Sequence, residues 1–190
     1  LELKNAKYIL EETKNFLIKN NFINETWNAL NILIQNASSV GAIDLKFYNI
    51  EEKNNFIFFD KLNNRDFKLL YLVGSDNLEI KKNNEFIIYQ GSHGDRNAEI
   101  ADVVLPSPTY TEQDGLFANI EGRVQECRKA SYPTNEAMED WKIFNLISKN
   151  LYKSSLFDNF SSIRKLALKE IPMFSEIDSL PFKNKTTNNI

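Results

Sequence analysis

At 190 residues with 42% hydrophobic content, the chain is long enough to bury the core of one ordinary domain. A formal charge of −3, a pI near 5.4 and no basic block argue against a nucleic-acid partner held by phosphate neutralisation. The longest apolar runs, Phe56 to Phe59 and Leu69 to Val73, fall far short of the roughly 20 residues a bilayer-crossing helix needs, so no direct membrane insertion is expected.

In chain order, Leu1 opens without the charged and apolar regions of a secretory signal and without an Arg-rich presequence, so nothing directs secretion. Leu3, Ala6, Ile9, Leu10, Phe16 and Leu17 recur near the 3.6-residue period and predict an amphipathic helix over Lys4 to Lys19, whose apolar stripe needs a partner surface. A second helix is expected from an Asn24 cap to Asn36, presenting Trp27, Leu30 and Ile34 on one side, with Gly41 closing the connection. Between Asn49 and Asp66 the run Phe56 to Phe59 supports either a short strand or an apolar loop anchor.

Lys68 to Val73, Glu85 to Tyr89 and Asp102 to Leu105 are short, nearly continuous apolar runs, as expected of parallel strands covered on both faces. The connections are so short that each crossover has room for only a turn or two of helix. Leu116 to Asn119 and Arg123 to Gln125 are expected to pair as a tight hairpin around Gly122. Two helices follow, Ala137 to Tyr152 behind an Asn135 cap and Ser162 to Glu170 ahead of Pro172; the polar tail 183–190 is held only if a neighbour holds it. The expected fold is α/β: a partial Rossmann-like parallel sheet with short crossovers, a small β-hairpin region and flanking helices. It forms a single unit, with a helical lead-in at 1–48, a sheet and hairpin core at 66–126 and carboxy-terminal helices at 135–172.

The most specific feature is the reading TE-x-D-G-x-F-x-N-x-EGRVQ over Thr111 to Gln125, preceded by Tyr89-Gln90-Gly91-Ser92-His93-Gly94-Asp95 and by Ala101-Asp102-Val103-Val104-Leu105-Pro106. These residues resemble the carboxy-terminal, molybdopterin-oxidoreductase-like part of the large iron–sulfur subunit of respiratory complex I, the NADH:ubiquinone oxidoreductase. Weaker similarity runs through Trp27 to Leu30, Val40 to Leu45, Glu139 to Trp141 and Ser161 to Leu168. Molybdopterin enzymes such as formate dehydrogenases tend to carry Arg where this chain has Gly122, which favours the complex I branch and leaves the distal part of a formate dehydrogenase as the alternative.

An iron–sulfur cluster needs about four thiolates, and structural zinc about four Cys or His ligands. Cys127 and His93 are the sole representatives of their types, so no disulfide forms within the chain and no redox centre or metal is expected in it. With the resemblance, this implies that the clusters sit in a companion amino-terminal part, and that the chain is a carboxy-terminal piece of a split subunit or a truncated version of a longer one. The implied partners are that amino-terminal iron–sulfur part and other peripheral-arm subunits. The implied location is the matrix side of the mitochondrial inner membrane or the cytoplasmic face of a bacterial plasma membrane. The implied role is structural support of NADH-to-ubiquinone electron transfer, with no catalytic or cofactor-binding residue of its own.

Each residue with chemical potential also has a plainer reading. Gly91-x-x-Gly94 after a strand suggests phosphate-approaching amides, but it lacks the dinucleotide glycine spacing, and positive-φ turn geometry is the preferred reason for both glycines. His93 beside Asp95 suggests an oriented imidazole with Ser92 adjacent, against the preferred reading of a loop-structuring hydrogen bond. Glu112, Asp114, Glu121 and Arg123 read as a structural network, with a buried Arg–Glu pair and Asn119 fixing the hairpin against the sheet. Cys127 beside Arg128 and Lys129 reads as an inert thiol rather than a redox one. Trp27 and Trp141 read as core anchors.

Overall fold

The computed structural model describes residues 5–34, 36–37, 39–47, 52–75 and 78–179, with side chains for all of these except 52–57 and 173. The first helix, α1, spans Ala6–Lys19 and buries Ala6, while Ile9 and Phe16 of its apolar stripe remain exposed, so the stripe still lacks a covering surface. The second expected helix does not form. The Asn24 carboxamide accepts the amides of Thr26 and Trp27 as a cap would, but the backbone closes a turn, Asn24 N–H to the Trp27 carbonyl at 2.8 Å, and an Ile23–Asn28 bridge pins it. Here local Asn side-chain bonding defeats helix propagation. Trp27 is consequently 55% exposed rather than a core anchor.

Helix α2 is Ser39–Asp44, so Gly41 lies inside a helix instead of ending a connection. Helix α3, Glu52–Asn63, takes in the Phe56 to Phe59 run, which is neither strand nor loop; the Phe58 ring lies 5.5 Å from that of Phe67 just ahead of the sheet. Strands β1 (Leu69–Val73) and β2 (Phe86–Gly91), helix α4 (Arg96–Ile100) and strand β3 (Val103–Pro106) then build a three-stranded, all-parallel sheet in the order β1-β2-β3.

The register, Leu70 opposite Ile87 and Leu72 opposite Tyr89, puts these four buried side chains on one face. Leu62, Phe67, Ile80, Ala98, Ile100 and Ala101 pack against them. The other face carries Leu69, Tyr71, Phe86, Ile88 and Val103. Sequence reading expected both faces to be covered; among the described residues the second face is covered only toward its carboxyl end, and Leu69 remains 54% exposed and Phe86 46%.

Asp102 locks the start of β3. One carboxylate oxygen accepts the Ile87 amide at 2.8 Å and the other the Lys82 ammonium, while the Asp102 amide returns to the Ile87 carbonyl. The Lys82 bond, and next the Ile87 amide, hold the Asp102 carboxyl below its usual value, as the Arg164 bond does for Glu126. A carboxyl depressed in the fold stabilises above its unfolded pKa of about 4, and that contribution disappears as pH falls through the folded value. Asp102→Asn and Glu126→Gln are therefore expected to flatten the acid limb of stability below about pH 4, read as the change in denaturation midpoint with pH.

Strands β4 (Gly115–Ala118) and β5 (Val124–Cys127) form the expected antiparallel hairpin. It packs on helices, not on the parallel sheet. Ala118 and Val124 join Phe174, Val40, Leu116, Leu168 and Ile171 in a second core, beside which α2 runs. Helix α5 runs Asp140–Tyr152, a turn shorter than expected, because Asn135 takes a left-handed φ of 51° and the Met138 amide bonds the Pro106 carbonyl instead of joining the helix. Helix α6, Phe160–Glu170, opens with a reciprocal Asn159–Ser162 capping box. A 3-10 turn, Pro172–Ser175, follows. The expected tail, 183–190, and the beginning of the expected first helix at Lys4 lie outside the described residues.

Candidate functional site

An open cleft of about 670 Å³ lies beyond the carboxyl ends of β2 and β3, where open α/β sheets place their ligands. Gly91, Ser92, Pro106, Ser107, Thr109 and Glu112 form one side, and 134–137 the other. Gly91 and Ser92 are the residues of the Tyr89-to-Asp95 motif that line it. A side chain at Gly91 would come within 2.5 Å of the Tyr89 hydroxyl, so glycine is required by that close approach. Neither Gly91 nor Gly94 is among the positive-φ glycines of the described residues, which are Gly74 and Gly122, so turn conformation is not the reason for either.

The Tyr89 hydroxyl donates to an Asp95 carboxylate oxygen at 3.1 Å. The other Asp95 oxygen caps α4, accepting the amides of Asn97 and Ala98. These are the amides an incoming phosphate would need, and a carboxylate already holds them. The exposed His93 ring pairs through Nδ1 with Ser92 Oγ at 2.9 Å rather than being oriented by Asp95. Asp95 therefore structures the loop.

Gln90, fully buried, faces the other way. Its Oε1 accepts the Tyr71 hydroxyl and its Nε2 donates to the Asp140 carboxylate at 2.6 Å, while the Phe144 ring stacks on Tyr71 at 5.9 Å. Burial, and then the Asp140 charge, push the Tyr71 phenol up. This network docks the first turn of α5 onto the sheet, and sequence reading missed it. A glutamine at the end of a buried strand, with a carboxylate opening a later helix, is its only trace in the sequence.

In the hairpin motif, the Asn119 carboxamide oxygen accepts the amides of Glu121 and Arg123, and the Asn119 carbonyl accepts the Gly122 amide. Gly122 stands at φ 79°, the left-handed position that closes a three-residue hairpin loop. Gly122→Arg is expected to cost about 1–2 kcal/mol, measurable as a lowered Tm. The expected Arg123–Glu pair is not formed. Arg123 makes no ion pair with a described residue, and its Nε is buried without a hydrogen-bond partner. The motif's acids act locally instead. Glu112 accepts the Thr109 amide and Asp114 the Lys129 amide, which tie the cleft loop and the end of the hairpin to neighbouring backbone.

The basic neighbours of Cys127 point elsewhere, Arg128 toward Glu126 and Lys129 toward Glu139. Trp141 is half-buried, its indole N–H donating to Glu139 at 2.7 Å. Burial pushes the Glu139 carboxyl up, but that indole bond and the charges of Lys142 and Lys129 outweigh it and bring the group below its usual value. Among the described residues no group of three His, Cys, Asp or Glu side chains stands together as a metal set.

Residues 1–150 match the family model for molybdopterin oxidoreductase. The chain belongs to the molybdopterin oxidoreductase family. Within the family it is similar to the NADH-ubiquinone oxidoreductase 75 kDa subunit of Reclinomonas americana, 36% identical over 186 residues that cover 97% of this chain and 26% of the relative. It is also similar to the mitochondrial 78 kDa subunit of the same enzyme from Candida albicans, at 36% over 203 residues, 99% of this chain and 26% of the relative. With the matching NADH-quinone oxidoreductase polypeptide of Rickettsia typhi it shares 40% over 163 residues, 85% of this chain and 22% of the relative. The chain thus spans about a quarter of the length of the curated relatives it matches.

The family name implies a phosphorylated pterin, and the cleft does not suit one. Its lining contains hydroxyls and the two carboxylates of Glu112 and Glu136 but neither Lys nor Arg, so an anionic ligand would meet like charge and no compensating cation.

Proposed function

We propose that the chain is a structural part of the large iron–sulfur subunit in the peripheral arm of respiratory complex I, supporting NADH-to-ubiquinone electron transfer without carrying a redox centre. The similarity to 75 and 78 kDa subunits over nearly the whole chain carries this reading. The iron–sulfur clusters then reside in the remaining part of the subunit, which is the first partner, with other peripheral-arm subunits beyond it. The chain braces that part: electron tunnelling depends on fixed spacing, and a packed scaffold supplies it. The assembly sits at the matrix side of the mitochondrial inner membrane, or at the cytoplasmic face in a bacterium, and is held there by partners. No described helix is long and apolar enough to cross a membrane.

Arg123, with its buried and unpartnered Nε, serves as a docking cation. Arg123→Ala is expected to reduce the amount of assembled complex several-fold while leaving NADH:ubiquinone turnover per assembled complex unchanged. Quantitative capture of the complex followed by activity measurement checks this, and a normal yield with lost NADH oxidation would overturn it. Elemental analysis of the same material tests the formate-dehydrogenase-like alternative, which requires stoichiometric molybdenum.

A further inference from the structure

The geometry points to the open face of the parallel sheet as the docking surface for an apolar-faced helix from the remaining three quarters of the large subunit, an inference that rests on the function proposed above. Leu69 lies opposite Phe86 and Ile88 opposite Val103, so these four side chains form one contiguous apolar patch. Within it Leu69 is 54% exposed, Phe86 46% and Val103 38%.

Parallel sheets bury both faces, because right-handed crossovers place connections over them. Here β1, β2 and β3 follow each other in one direction, so successive right-handed crossovers fall on one and the same side. The packing agrees. Ile80 from the first connection, and Ala98, Ile100 and Ala101 from the second, all cover the Leu70, Leu72, Ile87 and Tyr89 face. The chain's own crossovers therefore leave the opposite face uncovered. Helix α5 covers only its carboxyl end, through the Phe144–Tyr71 stack and the Asp140–Gln90 bond.

In a doubly wound sheet the second face is covered by crossovers that step the other way, whose strands join the sheet beyond β1. Among the described residues the outer edge of β1 has no strand partner, so strand and helix have a place to enter together. The source of such a unit is named by length. In the relatives the matched segment lies within polypeptides about four times as long, so the covering helix belongs to the rest of the same subunit.

The test introduces the photo-crosslinking residue p-benzoylphenylalanine at Phe86, and separately at Tyr132 on a remote loop, in the chain co-expressed with the rest of the subunit and captured as the assembled complex. Both substitutions keep an aromatic ring, so folding is preserved. The expected result is a crosslink from position 86 to a helical peptide of the companion part, identified by mass spectrometry, with at least a five-fold lower yield from position 132. Crosslinks from position 86 only within the chain, to a second copy of it, or only to another subunit would overturn the inference. Failure of the unmodified chain to co-purify with the complex would instead sink the functional reading, which separates the two.

Discussion

Gln90→Leu is expected to destabilise the fold by about 2–3 kcal/mol, the largest loss from any single polar contact between α5 and the sheet. Leucine matches glutamine closely in volume, so the sheet loses little packing. What disappears is both halves of a buried relay: the Tyr71 hydroxyl loses its acceptor, and the Asp140 carboxylate loses the N–H that neutralises part of its desolvation. A bond to an ionised group is stronger than one between neutral groups, and stranding the charge is the larger share of the cost. The check is a denaturant midpoint for Gln90→Leu, Tyr71→Phe and the double variant. Because both single changes break the same bond, the double variant should lose less than their sum by about 1 kcal/mol. Strict additivity would show that the Tyr71–Gln90 bond contributes nothing to the network. The raised Tyr71 phenol supplies a second signature. Its neutral form is the one the fold prefers, so its contribution persists below pH about 10 and fades as pH rises through the folded pKa.

Asn97→Asp is expected to cost about 3 kcal/mol at neutral pH. Asn97 is buried, and its Nδ2 donates to both the Ser75 and the Leu78 carbonyls, clamping the chain that leaves β1 against α4. Aspartate has nearly the same shape but, when ionised, no donor, so a carboxylate would face two carbonyl oxygens in a site already containing one unpartnered oxygen, Asn97 Oδ1. Burial and repulsion would raise the pKa of that new carboxyl, and its protonated form regains a donor. The deficit relative to the wild-type chain should therefore shrink as pH falls from 7 toward about 5. A pH-independent deficit in paired denaturation curves would mean that the loss is steric.

How much of this was legible depended on which interactions were local. The strands β1, β2 and β3 and the hairpin were readable because short apolar runs bounded by glycine, proline and charge leave the backbone few alternatives, and the hairpin's Gly122 occupies the φ its loop demands. The failed helix after Asn24 was not readable, since an Asn side chain can cap a helix or close a turn with the same two amide bonds. Helix α3 was missed because Phe56 to Phe59 fits a strand period as well as a helical one. In the cleft motif, His93 bonds Ser92 rather than Asp95, which residue spacing does not reveal, and the reason for Gly91 is a ring beneath the backbone, not a turn.

By itself the sequence determined the family, the parallel sheet, the hairpin and the scarcity of cysteine and histidine, because each is written in residue type and short spacing. Tertiary structure alone decided that Gln90 reaches across 50 positions to Asp140, that the hairpin packs on α2 and α6 rather than the sheet, and that Arg123 finds no carboxylate among the described residues. It also decided which face of the sheet stays open. The physical reason is common to all four: burial and pairing between distant segments depend on how crossovers stack in space, and no local period records that.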